Sequence, residues 1–88
     1  MTNYMIVDTY MASQIQMGTG KFVHNFGELT RHEGYTFAGL TAGESGYGDQ
    51  LGISFDVYNG SVYALVYNYY TTVLTANLEC KAIWIKDE

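Results

Sequence analysis

The segment around Asn59-Gly60 limits the possible folds of this 88-residue chain more than any other. Before it, Ile53, Phe55 and Val57 alternate with polar or aromatic residues, which is typical of a strand with one buried face. Asn-Gly supplies the two positive-φ positions of a type I′ turn, so the sequence predicts a β-hairpin. The predicted pairs are Tyr58 with Ser61, Val57 with Val62, Phe55 with Ala64 and Ile53 with Val66.

The residues after the hairpin predict a third strand. Side chains from 78 to 86 alternate between two sets, and the centre of this segment is β-branched or aromatic. Thr75-Ala76-Asn77 is the predicted connection. The three strands, about 51–58, 61–70 and 78–86, are expected to form an antiparallel meander.

The first half of the chain predicts a helix that covers this sheet. Between about residues 20 and 33, four apolar residues recur at helical spacing, namely Phe22, Val23, Phe26 and Leu29. Gly34 follows the last turn of this predicted helix. Gly27, in the middle, is expected to cost this helix about 1 kcal/mol relative to alanine. The predicted fold class is therefore α+β, an antiparallel sheet packed on one helix.

Two other segments predict strands. Residues 3–11 suit a strand, although Asp8 could equally be the N-cap of a helix that ends at Gly18. Residues 35–40 suit a further short strand.

Length and charge restrict the classes of function. Eighty-eight residues predict a single domain, 1–88, which can support one core without disulfides. Four basic residues against nine acidic ones give a net charge of −5, so direct binding to nucleic acid is not expected. The single cysteine, Cys80, predicts a reducing compartment, and the first residues lack the basic region and long apolar run of a signal sequence. We therefore expect a cytoplasmic protein with no membrane partner.

No catalytic motif is present in the sequence. The glycine-rich segment 39–52 has no phosphate-binding signature, because each near-match lacks a required glycine. On the predicted helix, His24, Glu28 and His32 are spaced by four and could approach one metal ion, with Glu33 nearby. An exposed polar helix face gives the same pattern, so we predict no metal, no cofactor and no enzymatic activity.

Tyrosine is concentrated on one side of the hairpin. The chain has nine tyrosines, five of them between residues 58 and 70. Tyrosine with Gly, Ser and Asn is the composition of recognition surfaces, because the rigid ring gives a large contact area and the hydroxyl a hydrogen bond. The alternative is cross-strand packing with the rings buried under the helix. The predicted partner-binding residues are Asp56, Tyr58, Tyr63, Tyr67 and Tyr69 on the hairpin, and Glu44, Tyr47 and Asp49 on the preceding loop.

A short acidic chain with no catalytic signature and an unusual composition resembles, in general character, the small anti-defence proteins of phages and mobile elements, anti-CRISPR proteins among them. The resemblance involves no shared motif. It implies a stoichiometric inhibitor that acts in a host cytoplasm by occluding a host defence protein, which could belong to a nucleic-acid-binding complex. Two alternatives remain open: a homo-oligomeric structural protein, such as a homodimer, and a protein that binds a small nucleotide-like signal on its tyrosines.

Overall fold

The computed structural model describes residues 4–17, 20–43, 53–69 and 74–88, with the side chains of 17, 66–69 and 74 outside the description. Within these residues the chain forms six β-strands and no helix. The strands are β1 (Met5–Met17), β2 (Gly20–Glu28), β3 (Tyr35–Ala42), β4 (Ser54–Tyr58), β5 (Ser61–Tyr69) and β6 (Leu74–Lys86). The α+β prediction is therefore wrong, because the described part of the chain is all-β.

The strands are divided between two antiparallel sheets of three strands each. Sheet I has the order β1-β6-β3, and sheet II has the order β2-β5-β4. The predicted hairpin is confirmed as β4 and β5, and Tyr58, Val57 and Phe55 pair with Ser61, Val62 and Ala64 as expected. Its turn has φ angles of 50° at Asn59 and 78° at Gly60, the conformation that Asn-Gly favours.

The helix predicted over residues 20–33 is wrong, because β2 occupies most of this range. Along β2 the side chains of Phe22, His24 and Phe26 are half-buried, and those between them are exposed. This period of two is the pattern of a strand, and the apparent helical spacing arose from apolar residues on both of its faces. Gly27 lies at a β-bulge with a φ of 108°, so it serves the strand rather than weakening a helix.

The predicted meander is also wrong in its third strand. β6 starts at Leu74, so residues 75–77 lie inside the strand rather than in a connection. It pairs with β1 and β3 in sheet I instead of with β5. The physical reason is that β5 has only two edges, and β4 and β2 occupy both of them.

The core lies between the two sheets. Its centre is formed by Ile53, Ala64, Ala76 and Leu78, and the partly buried residues packed against it are Ile15, Phe22, Phe26 and Phe55. β6 is the most buried strand, because every second side chain from Ala76 to Trp84 is at most 6% exposed. The strands predicted within residues 3–11 and 35–40 are confirmed as β1 and β3, and both flank β6.

Candidate functional site

The outward surface of sheet II brings together the described part of the predicted site. We call this surface the tyrosine face and define it by Lys21, Val23 and Asn25 of β2, Asp56 and Tyr58 of β4, and Tyr63 and Leu65 of β5. These residues alternate with the side chains that face the core, because successive side chains of a strand point to opposite sides of the sheet.

Tyr63 is at the centre of the tyrosine face. It lies on the middle strand, where its cross-strand neighbours are Asn25 on one side and Asp56 on the other. The Asn25 amide nitrogen donates a hydrogen bond to the Tyr63 hydroxyl at 3.4 Å. The Tyr58 ring meets the Tyr63 ring edge-on, with centroids 6.4 Å apart. Tyr63 is half-buried and held by its neighbours, whereas Tyr58 is 67% exposed.

A groove of about 540 Å³ crosses this surface. Val23, Leu65 and the two tyrosine rings supply its apolar and aromatic walls, with Lys21 and Asp56 also lining it. One Asp56 carboxylate oxygen accepts a hydrogen bond from the Val57 backbone N–H at 2.8 Å. Aromatic rings beside apolar walls, with one charge of each sign, match the composition of protein-recognition surfaces.

The structure brings together three of the eight predicted partner-binding residues: Asp56, Tyr58 and Tyr63. Tyr67 and Tyr69 lie on β5, and their side chains are outside the description. Glu44, Tyr47 and Asp49 fall outside the described residues. The alternative, in which the tyrosine rings are buried beneath a helix, does not hold for Tyr58, whose side chain is exposed and which no described helix covers.

Sequence reasoning missed the contribution of β2 to this surface. Val23 and Asn25 were assigned to a helix, so their position beside the hairpin was not foreseen. The signal that could have found them is the two-residue period of Phe22, His24 and Phe26, all of which face the core side. This alternation leaves Val23 and Asn25 on the opposite side of the strand.

The residues considered for a metal site do not converge. His24 faces the core side of β2, where its ring meets Phe26 with centroids 4.8 Å apart, and burial lowers the pKa of this imidazole. His32 lies after β2, and its Nε2 is 2.5 Å from a carboxylate oxygen of Asp8 on β1. Among residues 4–17, 20–43, 53–69 and 74–88, no three His, Cys, Asp or Glu side chains form a group that could hold a metal ion.

A second cavity, of about 640 Å³, lies where the segment between β2 and β3 meets the end of β6. Its walls include Tyr35, Phe37 and Trp84, with His32 edge-on to Trp84 at a centroid distance of 5.2 Å. Trp84 is buried, and its indole N–H has no hydrogen-bond partner among the described residues. An unpaired buried donor is uncommon in proteins.

Cys80 has a structural position on β6. Its side chain is fully buried, and burial raises the pKa of the thiol to about 11. At neutral pH the thiol is therefore protonated, and it fills space in the core as a small apolar group.

Comparison of the chain with protein-family models, with curated proteins and with solved structures finds no match. Among the described residues, no helix has the length and apolar character needed to cross a membrane.

Proposed function

We propose that this chain is a small non-catalytic protein-binding module, a stoichiometric inhibitor of a host defence protein that occludes its target with the tyrosine face. The observation that supports the proposal is the exposed ring of Tyr58 beside the fixed ring of Tyr63, on the side of sheet II that faces away from the core. Aromatic side chains held in place before binding lose little entropy on association, and they are enriched among residues that dominate binding energy.

The surroundings of the two rings also suit a protein partner. Val23 is exposed beside them, and Asn25 and Asp56 provide a hydrogen-bond donor and acceptor at the same level of the sheet. A surface with an aromatic centre and polar neighbours is the usual organisation of a protein interface. The net charge of −5 favours a basic target surface, such as one that otherwise contacts nucleic acid.

The test is affinity capture from the natural host with the wild-type chain and with Tyr58→Ala plus Tyr63→Ala. We expect the double variant to lose the specific partner, because removal of two central aromatic residues weakens binding by about a hundredfold. Tyr4→Ala is the matched control, since Tyr4 is 81% exposed and lies outside the tyrosine face. Thermal unfolding of each variant checks that the fold is intact.

Two outcomes would contradict the proposal. If the double variant captures the same partner as the wild type, the tyrosine face is not the binding surface. If the wild-type chain captures nothing beyond what an unrelated acidic protein captures, the chain is not a protein-binding module in that host.

The second candidate function is capture of a small nucleotide-like signal, which the second cavity favours by its aromatic walls. Trp84 is the only tryptophan of the chain, so its fluorescence reports on this cavity directly. For this candidate we expect adenosine monophosphate to change the emission saturably, and Phe37→Ala to weaken the effect. No change up to about 1 mM nucleotide would exclude this ligand at any useful affinity.

A further inference from the structure

We propose that two copies of this chain associate through the free edge of β1, so that two copies of sheet I form one continuous six-stranded antiparallel sheet with a two-fold axis at Thr9. This inference is independent of the proposed function, because β1 and the tyrosine face belong to different sheets. The chemical partner is a second copy of the same strand.

The four edge strands within the described residues differ in how well they are protected. β4 has only five residues, β2 is interrupted by two bulges, and β3 has a bulge next to Gly39. Short length and bulges are the usual features that prevent an edge from pairing with another chain. β1 has one irregularity, between Ala12 and Ile15, but it is regular over the eight residues from Met5 to Ala12. It has no proline or lysine, and it pairs with β6 alone among the described strands.

The hydrogen bonds within sheet I show which backbone groups of β1 face its open edge. Lys86 donates its backbone N–H to the Tyr4 carbonyl at 2.8 Å, so Tyr4 faces β6. Alternate residues of an antiparallel strand direct both of their backbone groups to the same neighbour. The residues with even numbers therefore bond to β6. The N–H and C=O groups of Met5, Val7, Thr9 and Met11 point to the open edge.

The side chains of the same residues form an apolar surface. Met5 is 53% exposed, Val7 41% and Met11 56%. Ile85 and Ile83 of β6 lie directly beside Met5 and Val7 on this face. Exposed backbone groups at the edge of an apolar strip are the features that favour addition of another strand.

Charge and symmetry select the register of the pair. Asp8 is the only charged residue of β1, and an axis through it would place two Asp8 side chains opposite each other. An axis through Thr9 instead places Thr9 opposite Thr9 and Val7 opposite Met11 of the second copy. This register matches apolar with apolar residues, pairs the backbone groups that face the edge, and leaves Asp8 with His32.

A matched pair of lysine substitutions tests the proposal. Thr9 on β1 and Thr41 on β3 are both exposed and are both cross-strand neighbours of Lys81, on opposite edges of sheet I. We expect sedimentation equilibrium to show a wild-type dimer, Thr9→Lys to weaken dimerisation by about tenfold or more, and Thr41→Lys to leave it unchanged. A wild-type chain that is monomeric up to about 200 µM, or equal effects of the two variants, would overturn the proposal.

Cross-linking tests the register itself. Thr9 and its symmetry mate would form a hydrogen-bonded pair with Cα atoms about 5.5 Å apart, which is suitable for a disulfide. We expect Thr9→Cys to form a covalent dimer under mild oxidation and Thr41→Cys to remain monomeric, while the buried Cys80 does not react. The double variant Tyr58→Ala plus Tyr63→Ala should dimerise like the wild type, so a failure of either proposal can be distinguished from a failure of the other.

Discussion

His24 makes the stability of the fold depend on pH. Its side chain lies on the core side of β2, where its cross-strand neighbour is the buried Ala64. Burial lowers the pKa of His24 below the ordinary value of 6.5, because the charged imidazolium loses contact with water. The unfolded chain therefore takes up a proton at a higher pH than the folded chain does. Protonation of this residue favours unfolding.

We expect the free energy of unfolding to fall as the pH drops below 6.5, and to fall less in His24→Gln, which cannot take up this proton. Urea unfolding of both proteins at about pH 7.5 and about pH 5 measures the difference. All other side chains are the same in the two proteins, so the comparison isolates the effect of His24. An equal loss of stability in the two proteins would show that His24 is as accessible in the folded chain as in the unfolded one.

The bulge in β2 explains why this element could be mistaken for a helix. Gly27 has a φ of 108°, and its backbone N–H donates a hydrogen bond to the side-chain oxygen of Asn25 at 2.8 Å. A glycine inside an apolar pattern is a penalty for a helix but a frequent feature of a bulged strand. The sequence alone is compatible with a helix and with a bulged strand, and the pairing of β2 with β5 shows that it is a strand.

Gly27→Ala is therefore expected to lower the free energy of unfolding in this strand, whereas it would raise it in a helix. We expect the variant to lose roughly 1–3 kcal/mol of unfolding free energy, because an L-residue rarely adopts a φ of 108°. A Cβ at this position would meet no atom within 4 Å, so the loss is a backbone effect rather than a clash. In a helix the same change would stabilise by about 1 kcal/mol. Chemical denaturation measures the sign of the change in unfolding free energy, and Glu28→Ala is the control at the adjacent exposed position.

Across the whole molecule, local pairing could be predicted from the sequence and the assembly of the sheets could not. The register of β4 and β5 follows from Asn59-Gly60, because a two-residue turn fixes the alignment of the strands that it joins. The same locality explains why Asp56, Tyr58 and Tyr63 could be grouped into one candidate site in advance. Their neighbours on β2 depend on pairing between distant segments, for which the chain contains no turn signal.

The central position of β6 has a consequence for how the protein is made. The ribosome completes this strand after the other five, and Ala76 and Leu78 of the core arrive with it. Sheet II contains only earlier strands, whereas β1 and β3 have β6 as their shared neighbour. Until β6 is in place, β1 therefore lacks its neighbour in sheet I. Before β6 pairs, the backbone groups and apolar side chains of β1 are therefore open to association with other chains.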